Sequence, residues 1–354
     1  MDIINLITSS FTNVVAVIFV FGLLIFFHEL GHYTAARLVG VRVLDFSLGF
    51  GPKLLGYKKD ETAYNLRAIP LGGFCLMAGM DRDEKVDKKD DQGSFRTKTV
   101  AQRTLVILAG SFMNFVLAAL LLAVVYFFHG MPVATTLISE TVPDSPAAIA
   151  GIEAGDRLVA INGQAIPDWN SFSEMVSSKP ETELLFTVER NGSERQVYVT
   201  PYRDDNGLGK IGVISENVYQ PQGLITSVAM GFAWTGKMLY LTVDYIGKMI
   251  TGKARAEVGG PVRIVNEIGK AANLGFFILL QIAAFLSINL GLFNLFPLPA
   301  LDGGRAMFLL WEKVAGRPVA QERESYIHYI GFAALILLMI AITFNDIVQI
   351  FTRD

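Results

Sequence analysis

Two histidines and a glutamate in the run His28-Glu29-Leu30-Gly31-His32 have the types and spacing for metal-assisted hydrolysis. On a helix, residues four apart share a face, so both imidazoles can reach one divalent cation. The adjoining carboxylate can then take a proton from water that the cation activates. The setting is apolar: no charge occurs from Val14 to Phe27 or from Tyr33 to Ala36. An ionisable group inside a membrane span costs about 2.5–3.5 kcal/mol on insertion scales, so three in one turn need a compensating partner. Interfacial residues at the end of a signal anchor are the competing reading, but an anchor has no need of this spacing.

A second run, Asn294-Leu295-Phe296-Pro297-Leu298-Pro299-Ala300-Leu301-Asp302-Gly303-Gly304, carries the candidate partner. Two prolines one residue apart cannot continue a helix, so the apolar segment before them must unwind. Irregular backbone survives at membrane depth only where it is buried in protein or lines a polar cavity. Tetrahedral zinc on a His pair needs a third protein ligand and an open position, and Asp302 is the best placed carboxylate. A capping or turn role before Gly303-Gly304 is the alternative. The single cysteine, Cys75, excludes an intramolecular disulfide and a Cys-rich metal site; it reads as a small apolar filler.

The elements that must position these residues are membrane spans. The chain of 354 residues is 52% hydrophobic, with a mean hydropathy of +0.42, and leaves room for spans plus one soluble domain. A net charge of −3 is too small to imply nucleic acid or any strongly charged partner. Four segments read as transmembrane helices, about 14–36, 104–128, 274–296 and 327–349. The first lacks a basic region before it, and its cleavage as a signal peptide would discard the metal motif. No Lys or Arg precedes it, thirteen fall from Arg37 to Arg103, and Arg305, Lys313, Arg317 and Arg323 lie between the last two spans. The positive-inside rule makes these two loops cytoplasmic, with the N-terminus and the region 129–273 outside. Spans one and three then run the same way, and their motifs reach a similar depth. The stretch Gln222–Ile250 is interrupted by Lys237, Asp244 and Lys248, which fall close to one line of a helix. It is expected to lie on the membrane or against the spans without crossing; a fifth span, which would put the residues near 302 on the opposite side from His32, is the alternative.

Between the first two spans, Thr62, Tyr64, Leu66 and Ala68 alternate with Ala63, Asn65 and Arg67 in strand period. Glycines at 49, 51, 56, 72 and 73 punctuate further extended pieces, so a small sheet or hairpin is expected. The charged run Asp81–Asp91 reads as a solvated linker. Ser145 to Leu158 with Ile161-Asn162-Gly163 looks like part of a PDZ domain over roughly 133–215: Gly155-Asp156 makes a tight turn and Asn162-Gly163 fits a type I′ hairpin. Strands are expected on both sides of Asn191-Gly192.

On His28–His32, Ser47–Leu55, Ile69–Gly79, the 143–166 stretch and Asn294–Gly304, the chain resembles the site-2 proteases, the intramembrane zinc metalloproteases, and within them the bacterial RseP-like group with a single PDZ domain. The resemblance implies that His28, His32 and Asp302 hold Zn²⁺ and that Glu29 is the catalytic base. It implies for Asn294 a part in positioning substrate or the developing oxyanion, with capping of freed backbone groups as its other possible role. In relatives the 41–80 region resembles a membrane-reentrant sheet. Gly72, Gly73 and Phe74 are then expected to hold an unwound substrate by strand addition; a sheet that only plugs the membrane face is the alternative. Relatives often have proline where this chain has Ser111, while Asn114 fits an intramembrane hydrogen bond near the site. His129 and His328 are assigned no catalytic role, and Trp234, Tyr240 and Tyr245 read as interfacial anchors.

The expected architecture is a polytopic α-helical membrane protein with four transmembrane helices, a cytoplasmic-side membrane-associated β-sheet and one extracytoplasmic PDZ domain. Its parts are 1–40 with the HExxH run, 41–103 with the sheet and linker, span 104–128 and PDZ domain 133–215. They continue with helical region 216–273, broken span 274–304, cytoplasmic loop 305–326 and last span 327–354. The expected function is an intramembrane zinc metalloendopeptidase of the bacterial cytoplasmic membrane. The resemblance implies single-span membrane proteins as substrates, pre-cleaved by a site-1 protease, such as anti-sigma factors or signal-peptide remnants. A catalytically silent membrane PDZ scaffold and an ion or proton transporter are the rival readings.

Overall fold

The computed structural model describes residues 3–80, 91–254 and 259–352. Helix α1 (Ile3–Leu38) leads into strands β1 (Val43–Lys59) and β2 (Thr62–Met77), and then α2 (Val100–Phe128). Next come β3 (Met131–Thr141), α3 (Pro146–Ile149), β4 (Arg157–Ile161), β5 (Gln164–Ala165), α4 (Trp169–Ser177), β6 (Leu184–Arg190), β7 (Ser193–Val199), β8 (Tyr202–Arg203), β9 (Gly209–Lys210) and β10 (Val213–Gln220). The chain ends in α5 (Leu224–Ile250), α6 (Pro261–Leu274), α7 (Phe276–Asn294), α8 (Asp302–Ala315) and α9 (Gln321–Thr352). Two compact units result: Tyr126–Gln222, and Met1–Val125 together with Gly223–Asp354.

In the larger unit, Phe11–Leu38, Val100–Phe128, Phe276–Asn294 and Glu322–Gln349 are long and apolar enough to cross a membrane. Lipid gives helices no hydrophobic drive to associate, so close backbone approach through small residues carries the packing. A Cβ on Gly31 of α1 would strike the Ala109 carbonyl of α2, and one on Gly291 of α7 would strike the Phe115 ring and Ser111 carbonyl. Ser287 of α7 donates to the Asn114 carbonyl at 2.8 Å. Helix α5 follows the same rule: Ser227, Gly231 and Thr235, one turn apart, form its buried face, and Gly231 abuts Ala119 of α2. It therefore packs on the spans, with Asp244 paired to Lys248 at 2.7 Å on its polar side. Tyr240 is 70% exposed, and Lys237 lies over the Trp234 ring.

Strands β1 and β2 fold into more than a hairpin. Lys58 to Lys53 pair with Ala63 to Arg67, while Asp45 to Leu48 pair twice: with Leu76 to Gly73 on one side and with Ala63 to Leu66 on the other. The lateral order is thus 53–59, 62–67, 45–48, 73–77, with 73–77 at one edge. Aromatic contacts fasten the sheet to α1: Phe46 packs edge-on against Phe26 and Tyr33, and Tyr33 Oη is 2.6 Å from Tyr64 Oη. The charged run lies outside the described residues as far as position 90.

The smaller unit carries a sheet in the order β10-β3-β4-β6-β7, with β5 paired to β4. Its core holds Ile138, Ile152, Leu158, Leu184, Phe186 and Val188 at 1% exposure or less. Asn162-Gly163 and Asn191-Gly192 have positive φ at both positions, as a two-residue hairpin turn of type I′ requires. The unit reaches beyond 133–215 at both ends, and 216–220, expected to open a helical region, is the end of β10. The segment 305–326, expected as a loop, is mostly helix. Leu309 of α8 is buried, Arg103 pairs with Glu312 at 2.5 Å, and Gly316 closes the helix in left-handed conformation.

Candidate metal centre

Helix α1 delivers His28 and His32 one turn apart near its end. Their Nε2 atoms lie 3.2 Å apart, and each is 3.3 Å from Asp302 Oδ2. Among the described residues these three form a cluster able to hold one metal ion. Their near-equilateral triangle tests the fit. Tetrahedral zinc with ligand arms of about 2.0–2.1 Å has donor–donor edges of roughly 3.3–3.4 Å. Asp302 Oδ2 is also buried and, among the described residues, makes no hydrogen bond of good geometry, as an oxygen aimed at a shared cation would be. The donor set of two imidazoles and one carboxylate suits Zn²⁺ and leaves a fourth position for water or substrate.

The broken segment after α7 explains how Asp302 arrives. Helix α7 stops at Asn294, and Leu301 takes the N-cap position of α8, so Asp302 is the first helical residue. A Cβ on Gly303 would collide with the Phe296 and Leu295 carbonyls, and one on Gly304 with the Leu298 carbonyl. The two glycines therefore let α8 start tucked against the proline turn. Ala300 has φ +74, a left-handed conformation rare for a residue with a side chain. Its N–H donates to His328 Nδ1 of α9 at 2.8 Å. His328, assigned nothing from the sequence, thus braces the loop that presents Asp302. No local signal in the chain links positions 28 residues apart.

Helix α2 forms a bed for the two imidazoles. His32 Nδ1–H donates to the Val106 carbonyl at 2.9 Å, which leaves the Nε2 lone pair toward the cluster. Gly110 lies one turn on, where any Cβ would press into both imidazole rings. Asn114, a further turn on and fully buried, places its side-chain amide 3.2 Å from His28 Nδ1.

Glu29 faces the edge segment of the sheet. A Cβ on Gly73 would crowd Ile25 and the Glu29 side chain. Of the three residues expected to hold substrate, Gly73 is therefore beside Glu29. Gly72 has φ +119 and abuts the Phe50 ring, and Phe74 lies under the Arg67 guanidinium, 5.0 Å from the ring centroid. Asn294 is half-buried at the end of α7, and no hydrogen bond found among the described residues engages its side chain. Cys75 is a free, half-buried thiol.

Apolar spans that bring two imidazoles, a carboxylate and a second carboxylate together define a membrane-embedded metallohydrolase. Residues 16–338 match the family described as Peptidase family M50, and the chain belongs to that family of zinc metalloproteases. It is 34% identical over 420 residues to "Zinc metalloprotease RasP" of Geobacillus kaustophilus, covering 97% of this chain and 99% of the relative. It is 32% identical over 422 residues to "Regulator of sigma-W protease RasP" of Bacillus subtilis, covering 96% and 99%. Among solved structures it is similar to the PDZ domain of the SdrC-like protein of Listeria monocytogenes, at 21% identity and a TM-score of 0.22. That match covers 23% of this chain and 87% of that one; at this level it carries no argument beside the unit's own strand order.

Proposed function

We propose that this multi-pass intramembrane protease cuts within the transmembrane segments of single-span membrane proteins, with His28, His32 and Asp302 as its zinc ligands and Glu29 as its base. The observation that carries the reading is the donor triangle of 3.2–3.3 Å set into apolar spans with a carboxylate beside it. His28, His32 and Asp302 would hold the zinc, which would supply Lewis acidity for activating water and polarising the scissile carbonyl. Glu29 takes the proton from the attacking water and hands it to the leaving amine. Gly72, Gly73 and Phe74 are proposed to take the substrate as an added strand at the edge of the sheet, which would hold its backbone extended past Glu29. An extended chain is required because a helical carbonyl is engaged in its own turn. Asn294 is proposed to orient substrate near the developing oxyanion.

The positive-inside pattern supports an extracytoplasmic N-terminus and PDZ-like unit in a bacterial cytoplasmic membrane, with both motifs near the cytoplasmic face. His28 and His32 lie in the last turns of α1 and Asp302 follows the C-terminal end of α7, which is consistent with that topology. The name of the Bacillus subtilis relative supports anti-sigma factors as the substrate class; prior trimming by a site-1 protease is part of the same proposal. In proteoliposomes, a single-span anti-sigma factor lacking its outer domain should be cut inside its span, and a zinc chelator should stop the cut. Cleavage confined to residues outside the span, or unaffected by the chelator, would refute the proposal.

A further inference from the structure

We propose that Asn114 is a positioning residue that selects the tautomer of His28, turning its side-chain carbonyl to the imidazole when zinc is bound. This rests on the ligand reading above. A metal on His28 Nε2 requires a bare Nε2, so Nδ1 must carry the ring proton and needs an acceptor. His32 has one in the Val106 carbonyl, which is fixed in the helix. The atom facing His28 Nδ1 is instead Asn114 Nδ2, a donor, at 3.2 Å. On the same side chain, Oδ1 is buried and has no hydrogen-bond partner among the described residues. A half-turn of the carboxamide exchanges the two ends and resolves the mismatch, because the near-identical shape of O and NH₂ lets the swap occur in place.

The surroundings fix the backbone of this residue. The Asn114 backbone carbonyl is held by Ser287 Oγ at 2.8 Å, which pins this turn of α2 to α7. Gly110, one turn back, gives the rings of His28 and His32 the space they occupy. The Oδ1 and Nδ2 ends of the amide exchange places by a half-turn, so the side chain can meet His28 Nδ1 with either end. With the amide turned, Nδ1–H is held by a carbonyl and Nε2 is free to bind. A buried, uncharged amide is costly in an apolar span unless its groups are used, and the turned amide puts the otherwise unengaged Oδ1 on His28 Nδ1–H. Val106, Gly110 and Asn114 thus make one stripe of α2 that sets the ring orientation of both imidazoles.

The test is zinc affinity of the full-length protein in detergent, read by competition with a chromophoric chelator. Asn114→Leu keeps the volume and removes the acceptor; it should weaken zinc binding about 10–100-fold. Asn114→Asp restores an acceptor and should bind within about threefold of the parent. The thermal unfolding of each metal-free variant reports whether it folds. Leucine with parental affinity, or aspartate as weak as leucine in a folded protein, overturns the proposal. A second readout needs no substitution. The chain has four histidines, so ¹⁵N spectra of the zinc-loaded, histidine-labelled parent can resolve His28. A protonated Nδ1 is expected, and a bare Nδ1 overturns the proposal. If the parent itself binds no zinc, the ligand reading fails; if only the variants behave wrongly, the tautomer selection fails alone.

Discussion

The unit from Tyr126 to Gln222 and the helices around His28 solve the problem of buried polarity in opposite ways. The smaller unit keeps its centre apolar, with Leu184 and Phe186 fully buried, and admits one charged pair. Asp156 is completely enclosed and receives Arg190 Nε at 2.6 Å, Arg190 Nη2 at 2.9 Å and the Glu153 amide at 2.9 Å. In the bundle, lipid replaces water outside and the centre holds the polar groups: His32, Ser111, Asn114 and Ser287 are all buried. Glycines at 31, 110 and 291 bring backbones close enough to hold them. One region is stabilised by area removed from water, the other by fit. Damage should therefore travel differently in the two.

The largest effect is expected in the bundle. Glu29→Gln should lower kcat by about 10²–10⁴, the usual worth of a positioned acid–base group, while zinc content per chain stays the same. Retained activity would take Glu29 out of the chemistry. Next comes the smaller unit, where Phe186→Ala should cost about 3–5 kcal/mol. Limited proteolysis should then cut within 126–222 at lower temperature while zinc remains bound; joint loss of both would mean the two regions do not fold independently. Gly110→Ala is the counterpart in the bundle. Its methyl group overpacks the site by about 1–3 kcal/mol, and the signature should be weaker zinc binding with the smaller unit's melting unchanged.

The smallest effect concerns pH. Burial alone would raise the Asp156 carboxyl, but the Arg190 hydrogen bonds and the Glu153 amide hold it below the usual carboxylate range. A folded-state pKa below the unfolded value of about 3.9 means that ionised Asp156 stabilises the folded form. That contribution is complete well above pH 4 and is lost as pH falls through the depressed folded value. Thermal unfolding of the 126–222 region should thus lose stability below about pH 4, and Asp156→Asn should abolish this part of the pH dependence. An unchanged acid limb in that variant would assign it to other carboxylates.

The same contrast decides what was legible in the sequence. Apolar length marked the four spans, and Asn162-Gly163 and Asn191-Gly192 marked their hairpins, because those signals are local. The pairing of His28 and His32 with Asp302 was legible too, since a His pair leaves one ligand wanting and the prolines mark a broken helix. The supports were not. Nothing near His328 announces that it receives the Ala300 N–H, and the value of Gly110 appears only once two imidazoles press against it. Asp45 to Leu48 pair on both sides, a register that alternation within 62–68 cannot specify. Helix α8 was hidden for another reason: its first residue is the carboxylate that the metal motif claimed.

The most direct check is X-ray absorption at the zinc edge of purified Glu29→Gln protein, which keeps the ligands and removes turnover. One zinc per chain with only nitrogen and oxygen neighbours at about 2.0–2.2 Å, two of them imidazoles that vanish from the spectrum together with the metal when His28 and His32 are replaced, is the expected result. A sulfur neighbour at about 2.3 Å, which only Cys75 or a methionine could supply, or zinc that survives loss of both histidines, would contradict the site built from His28, His32 and Asp302.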